Sequence, residues 1–217
     1  MKIKRLKIMG SNYLGLFGIT NDTLCFLPNN TEEESIKVVE NTLDVKVVTT
    51  NLYESALLAV FAKMNNKKAY LPEYFLPKEI ESIEKEIKVK LIKTDHALGN
   101  MLELNDTHAI VSESLEKTEL KLFEKEGLEI LQTNLARTNA IGSAIAITNK
   151  SFVINPNSSN EEIKKVQKFL GFSGGASTAN TGDAFIRNSV LANKNGFVIG
   201  EATTGHEINR IDEALEG

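Results

Sequence analysis

The sequence predicts an α/β protein built as a closed ring of five pseudo-symmetric strand-strand-helix-strand units, with the helices outside and the N-terminal strand completing the last unit. Three observations point there. The stretch ITNDTLCFLPNNTEEE at 19–34 returns as ITNKSFVINPNSSNEE at 147–162. With Asn21 and Asn149 as anchors, the same turn recurs at Asn65, Asn105 and Asn193, at spacings of 44, 40, 44 and 44 residues, so one register covers the chain. Finally, the last helical stretch has no extended run after it, while the run at 2–9 has no helix before it. An open solenoid needs two polar capping ends, and neither end reads as a cap. Propeller blades need four strands each, whereas one segment per unit here has helical periodicity.

The elements follow in order. The run at 2–9 is the strand that closes the fifth unit. Each unit then carries an extended run ending in an Asn turn, in the contexts TND, MNNKK, LNDT, TNK and ANKNG. Asn and Asp suit such turns because they tolerate left-handed backbone. The return strands LCFLP, KAYLP, HAIVS, SFVIN and GFVIG are apolar, and Pro28, Pro72, Ser112, Pro156 and Gly200 stop them. Helices are predicted at 31–43, 77–88, 115–126, 160–170 and 205–216. Thr31 with Glu34, Ser159 with Glu162 and Thr204 with Glu207 fit capping boxes, and Pro77 suits a first helical position. Apolar residues recur on one face: Ile36, Val39, Leu43; Ile80, Ile83, Ile87; Ile208, Ile211, Leu215. Third strands follow as VKVVT, VKLIKT, LEILQT and FSGGAST. The units run 10–49, 54–93, 99–133, 139–178 and 183–217, closed by 1–9, in one domain.

Composition excludes several function classes. Hydrophobic residues at 41% and charged residues at 25% are those of an ordinary folded domain. The single Cys25 rules out an internal disulfide framework and a cysteine-cluster metal site, and points to a reducing, cytoplasmic setting. The basic start has no apolar core of a signal peptide, and the longest apolar run, ALLAVFA at 56–62, is too short to span a bilayer. A net charge of −4 disfavours binding to free nucleic acid by phosphate neutralisation.

Catalytic candidates are weak. Cys25 falls in a core strand, in register with Ala69, Ala109, Val153 and Phe197. His96, His108 and His206 occupy a rim connection, a hairpin strand and a first helical turn, without metal-ligand spacing. The stretch GFSGGASTANTG at 171–182 lacks the Gly-Lys-Ser/Thr ending of a phosphate loop, and no helix is predicted directly after it. No metal or cofactor site is expected.

The connections after the third strands lie together at one end of the ring: MGSNY, TTNLYES, TDHALGN, TNLARTN and TANTGD. They are mostly amides, hydroxyls and glycines, a composition suited to hydrogen bonding a partner without much desolvation of charge.

Five such units closed by the N-terminal strand resemble the pentein architecture. Within it, NYLGLFGITNDTLC (12–25), AYLP (69–72), HALGN (96–100) and TANTGDAFIRNSVLANKNGFVIGEATTGHE (178–207) resemble the translation initiation factor 6 family in its shorter archaeal form. The resemblance implies an anti-association factor: a protein that binds the large ribosomal subunit, through ribosomal proteins near the sarcin-ricin loop with local ribosomal RNA contact, and keeps the small subunit away. It also implies a part in late large-subunit maturation, with no catalysis and no cofactor. Asn100 carries over with most weight, beside Gly99 and Leu98, followed by Asn12; Asn51, Asn139, Asn180 and Thr181 complete the expected rim. Thr94, Asp95 and His96 stand where a basic residue is expected. The chain is expected to act as a monomer, without membrane contact. The competing reading is a pentein guanidine-modifying enzyme, of the deiminase or amidinotransferase type, which places a nucleophilic cysteine late in the chain; residues 184–217 contain none.

Overall fold

A buried polar residue closes each hairpin, and the rest of the unit is hung from it. The computed structural model describes residues 1–216, so the last position of the fifth unit lies outside the described residues. The chain opens with β1 (Lys2–Leu6). Unit one is α1 (Leu14–Phe17), β2 (Ile19–Thr20), β3 (Leu24–Leu27), α2 (Glu33–Leu43) and β4 (Lys46–Thr49). Unit two is α3 (Leu58–Phe61), β5 (Lys63–Met64), β6 (Ala69–Pro72), α4 (Pro77–Glu84) and β7 (Val89–Ile92). Unit three is α5 (Leu98–Met101), β8 (Leu102–Leu104), β9 (His108–Val111), α6 (Lys117–Lys125) and β10 (Glu129–Gln132). Unit four is α7 (Ile141–Ala144), β11 (Ile145–Ile147), β12 (Phe152–Ile154), α8 (Asn160–Leu170) and β13 (Gly174–Ala176). Unit five is α9 (Ile186–Ser189), β14 (Val190–Ala192), β15 (Gly196–Gly200) and α10 (Gly205–Glu216).

Every unit is a three-stranded sheet: an antiparallel hairpin, then a third strand laid parallel to the second after the helical crossover. In unit five the third strand is β1, parallel to β15 from Lys2 opposite Gly196 to Leu6 opposite Gly200. The ring is closed as predicted, because β15 otherwise has an unpaired edge.

The hairpin turns show one slip of register. The Oδ1 atoms of Asn21, Asn65, Asn105 and Asn193 each accept from backbone N–H groups two and three residues on. In unit four that acceptor is the Thr148 hydroxyl, bonded by the amides of Lys150 and Ser151 at 3.2 and 3.1 Å, so Thr148 and not Asn149 is the equivalent residue. The slip moves the partners of Cys25 and Pro28 in unit four from Val153 to Phe152 and from Pro156 to Asn155.

The caps divide. Ser159 and Glu162 form the reciprocal box at 3.2 and 2.6 Å, and Thr204 with Glu207 does so at 3.3 and 2.8 Å. Thr31 does not cap α2: the helix starts after Glu32, and the Thr31 hydroxyl is buried without a partner among the described residues. Five four-residue helices, α1, α3, α5, α7 and α9, replace what the sequence presents as extended run or loop. They lack side-chain caps and are too short to be stable alone, so tertiary packing makes them.

The apolar core is five clusters, each shared by neighbouring units. Val39 and Leu43 of α2 pack on Cys25 and Leu27 of β3 and also on Leu191 and Val198 of unit five. Fully burying such a side chain stabilises by about 1.5–3 kcal/mol, and here each one also ties two units together.

Candidate functional site

Strand direction sorts the molecule into two ends. The second strand of each unit runs from its buried turn residue to the far rim, and the crossover helix runs back, so α2, α4, α6, α8 and α10 all present their N-termini at that rim. Four of the five rim connections are tight turns closed by bridges, Ile8 with Ser11, Leu52 with Ser55, Leu135 with Thr138 and Ala179 with Asp183. Their tips are left-handed: Met9 φ 52°, Tyr53 and Glu54 φ 54° and 53°, Ala136 and Arg137 φ 51° and 60°, Asn180 and Thr181 φ 48° and 64°. Non-glycine residues there cost about 1–3 kcal/mol each and persist only when their surroundings impose the conformation. The imposing groups are carboxylates at the helix N-termini. Met9 N donates to Glu32 (3.3 Å), Glu54 N to Glu79 (3.0 Å), Ala136 N to Glu162 (3.1 Å), and Thr181 N and Gly182 N to Glu207 (3.2 and 2.9 Å). Burial alone would raise the Glu207 pKa, but hydrogen bonds from Thr204, Thr178 and Gly182 pull it down to about 2.

The predicted rim residues meet different fates. Leu98 and Gly99 are buried in α5: Leu98 is core, and a Cβ on Gly99 would lie 2.0 Å from the Ala59 carbonyl oxygen. The ALGN stretch is therefore a packed helical turn, not an open loop, with Ala97 and Asn100 half-buried at its two ends. Gly15, Gly99 and Gly142 are equivalent in their helices, and each lets the short helix of the preceding unit approach closely, so α1, α3, α5, α7 and α9 form an inner ring around the axis. Asn180 is a fastener: its Nδ2 donates to the Asn12 carbonyl (3.0 Å) and to Ser189 Oγ (2.9 Å), and its Oδ1 accepts from Thr203 (3.2 Å). Asn12 and Asn180 thus meet at the seam. Asn51 accepts from Asn29 N (3.2 Å), exposed Asn139 donates to Ser114 (3.1 Å), and Thr181 is exposed at its tip. The remaining residues are spread around the rim.

Sequence reasoning missed the apolar side chains of this rim. Among the described residues the exposed large hydrophobics are Met9, Tyr13, Tyr53, Tyr74, Leu76, Phe185 and Leu91, and all but Leu91 stand at the rim end. Tyr53, 59% exposed, contacts Phe61, Tyr74 and Phe75 with ring centroids 5.7–6.3 Å apart. The signal was present as tyrosines within the connections MGSNY and TTNLYES.

At the opposite end the axis is shut by polar side chains. Asn66 Nδ2 donates to Asp22 and Asp106, both at 2.8 Å, and Asn149 Nδ2 to Asp106 at 3.0 Å. Deeper in the axis Glu103 Oε2 accepts from Lys63 Nζ (2.5 Å) and Arg187 Nε (3.2 Å), all three residues buried. Burial pushes the Lys63 ammonium down to about 8, against the pull of Glu103 and with added repulsion from Arg187. Cys25 is fully buried in β3, and burial pushes its thiol up to about 12. No group of three or more His, Cys, Asp or Glu among the described residues is placed to hold a metal ion, and no helix is long and apolar enough to cross a membrane. In the stretch 171–182, Gly174 and Gly175 serve close packing: a Cβ on them would lie 2.4 Å from the Phe152 carbonyl oxygen and 2.9 Å from Ala214 Cβ.

A five-unit α/β ring closed by its own first strand, plugged along the axis and carrying a rim of braced turns, is a pentein-type protein. The eIF-6 family profile matches residues 3–214, and the chain belongs to that family. Translation initiation factor 6 of Pyrococcus horikoshii is 33% identical over 224 residues, covering 99% of each chain. That of Staphylothermus marinus is 30% identical over 224 residues, covering 100% of this chain and 99% of the relative. Among solved structures, a dimethylarginine dimethylaminohydrolase adduct with S-methyl-L-thiocitrulline gives a TM-score of 0.47 at 11% identity, over 94% of this chain and 73% of that one. DDAH from Pseudomonas aeruginosa gives 0.45 at 11% identity, over 94% and 74%.

Proposed function

We propose that the rim end docks this translation-factor-family protein on the large ribosomal subunit, and that its bulk then keeps the small subunit from joining. The carrying observation is the gathering of exposed Met9, Tyr13, Tyr53, Tyr74, Leu76 and Phe185 at one end of a closed ring. Exposed aromatic groups beside braced polar turns are the composition of an interface core and its rim. A ring closed by β1 and fastened at the axis has little left to order on docking, which keeps the entropic cost of binding low. Glutamates at the helix N-termini and a net charge of −4 leave phosphate contact local and make protein the main partner. In this reading the chain acts as a monomer, without catalysis or cofactor, and takes part in late large-subunit maturation. Guanidine chemistry has no support in the axis, where Lys63, Glu103 and Arg187 stand and the one thiol, Cys25, is packed in β3.

The test is Asn100→Arg. Asn100 is half-buried on α5 of the inner ring and its side chain makes no hydrogen bond among the described residues, so a long cation there disturbs docking more than folding. Co-sedimentation with large subunits is expected to weaken at least tenfold, and light scattering should show subunits joining in the presence of the variant, with the melting temperature unchanged. Undiminished co-sedimentation removes Asn100 from the interface. Wild-type protein that pellets with neither subunit, or leaves joining unaffected, refutes the reading.

A further inference from the structure

The rim repeats one set of positions around the ring, and its large apolar side chains occupy only part of the circle. The residue that opens each short inner helix is Tyr13, Leu57, Ala97, Ala140 and Phe185 in units one to five. The first left-handed residue of the braced tips is Met9 and Tyr53 on one side of the ring, but Ala136 and Asn180 on the other. The residue before each crossover helix is Leu76 in unit two, but Glu116 in unit three and Ser159 in unit four. Two residues earlier stands Tyr74 in unit two, against Ser114 and Asn157 in units three and four.

All six exposed large hydrophobics of the rim therefore fall in units five, one and two or in the turns between them. The units share one fold, so the contrast lies in the choice of side chain and not in the geometry that carries it. The short helices α9, α1 and α3 pack in succession, which makes these residues one arc. Tyr53 joins its turn to that arc, with its ring 6.0 Å from Phe61 of α3 and 5.7 Å from Tyr74. Exposed acids are interleaved with the rings, Glu32, Glu54 and Glu73, while Lys7 is already paired with Glu201 at 3.3 Å.

We propose that this arc, and not the whole rim, is the docking surface: it takes an apolar protein surface bordered by basic side chains, and unit four stays outside the contact. Aromatic residues and methionine are the side chains that fill the core of protein interfaces. The interleaved carboxylates repel a phosphate backbone and attract the basic border of a protein partner. The arc also gives the ring a single seating. Five near-equivalent units could otherwise dock in five rotations, and only one of these places the aromatic side chains on the partner. Asn100 belongs to α5, which packs on α3, and so stands at the margin of the arc. The inference rests on the reading of the rim as a docking face and names the sector and the partner chemistry.

Two double variants of the full chain cut the arc at its two ends: Tyr13→Ser with Phe185→Ser, and Tyr53→Asn with Leu76→Ser. Serine is a preferred residue at the helix N-caps that Tyr13, Leu76 and Phe185 occupy, and asparagine accepts the left-handed backbone of Tyr53, so the fold is kept. Arg137→Asn with Asn139→Ser and Asn157→Ser, three exposed positions of the opposite arc, is the control. Each arc variant is expected to raise the dissociation constant for large ribosomal subunits at least tenfold and the control less than about twofold, with melting temperatures measured alongside. If loss of the Tyr53 ring contacts lowers the melting temperature of the second variant, the Tyr13 and Phe185 pair decides. Arc variants that bind like wild type, or a control that loses as much as they do, overturn the assignment. Phe185→p-benzoylphenylalanine, irradiated on large subunits, should give adducts that protease removes and ribonuclease leaves; adducts with ribosomal RNA overturn the choice of partner. Wild type that does not pellet with large subunits refutes the docking reading itself, whereas wild type that pellets while the arc variants bind unchanged removes the arc alone.

Discussion

Gly99→Ala tests whether the ALGN stretch is packing or contact surface. The added methyl carbon would sit 2.0 Å from the Ala59 carbonyl oxygen and 2.8 and 2.9 Å from the carbonyl carbons of Ala59 and Val60. Carbon to carbonyl-oxygen contacts normally stop at about 3.3 Å, so α3 must retreat by more than an ångström. The obstacle is backbone, and the five inner turns touch one another around the axis, so the displacement has nowhere to dissipate. Overpacking costs about 1–3 kcal/mol, and the absence of side-chain slack places this case near about 3. At about 2–4 °C per kcal/mol for a chain of this size, the melting temperature should fall by roughly 6–12 °C. Calorimetry at one protein concentration measures this, with Asn100→Ala, half-exposed in the same helix, as the control that should shift by less than about 2 °C. A Gly99→Ala protein that melts with wild type yet no longer pellets with large subunits would refute the packing role.

Two further perturbations probe the buried charges. Glu103→Gln leaves Lys63 and Arg187 buried without their shared carboxylate and should cost about 3–5 kcal/mol by urea midpoint, whereas Lys63→Met leaves the Glu103–Arg187 pair intact and should cost less; the reverse order would be incompatible with Glu103 as the common partner. Because the folded Lys63 pKa is lowered from 10.5 to about 8, the native state releases this proton first, so wild-type stability relative to Lys63→Met should rise between pH 8 and 10.5 and stay flat below pH 7.5. Glu207 is also shifted down, which for an acid stabilises: its folded pKa falls from 4.5 to about 2, so its stabilisation is present above pH 4.5 and lost as pH falls through 2. Glu207→Gln should therefore destabilise by about 2 kcal/mol at pH 7 and much less at pH 2, and an equal effect at both would show the carboxylate charge to be irrelevant.

Ring closure was legible because it rests on order: a helix without a following strand and a strand without a preceding helix. The slip at unit four was not, because identical Ile-Thr-Asn letters concealed that a threonine hydroxyl accepts the two turn amides as an asparagine oxygen does elsewhere. Four-residue helices such as Leu98–Met101 leave no periodic trace and arise from packing at the axis, so Leu98 and Gly99 read as loop while standing in the core. Lys63, Glu103 and Arg187 come from three different units, and no local pattern relates them. Of the expected rim, Asn139 and Thr181 are exposed and Asn12, Asn51, Asn100 and Asn180 are half-buried, whereas the aromatic side chains beside them went unread as a surface.

The two ends of the ring divide the work between order and display. At the closed end the Nδ2 groups of Asn21, Asn65 and Asn105 each donate to the backbone carbonyl of the next unit's turn, at 2.9–3.1 Å, and Asn193 returns the chain of bonds to Asn21 at 3.0 Å. Thr148 has no amide to pass on, so the fourth link is absent and the neighbouring Asn149 side chain reaches Asp106 instead. These bonds fix where every second and third strand begins, and the strands are only three to five residues long, so the same bonds fix where the rim turns end up. A turn held at its base by a short parallel strand and at its tip by a helix-terminal glutamate has no freedom left to lose on docking. That explains how strained left-handed tips are tolerated at the rim.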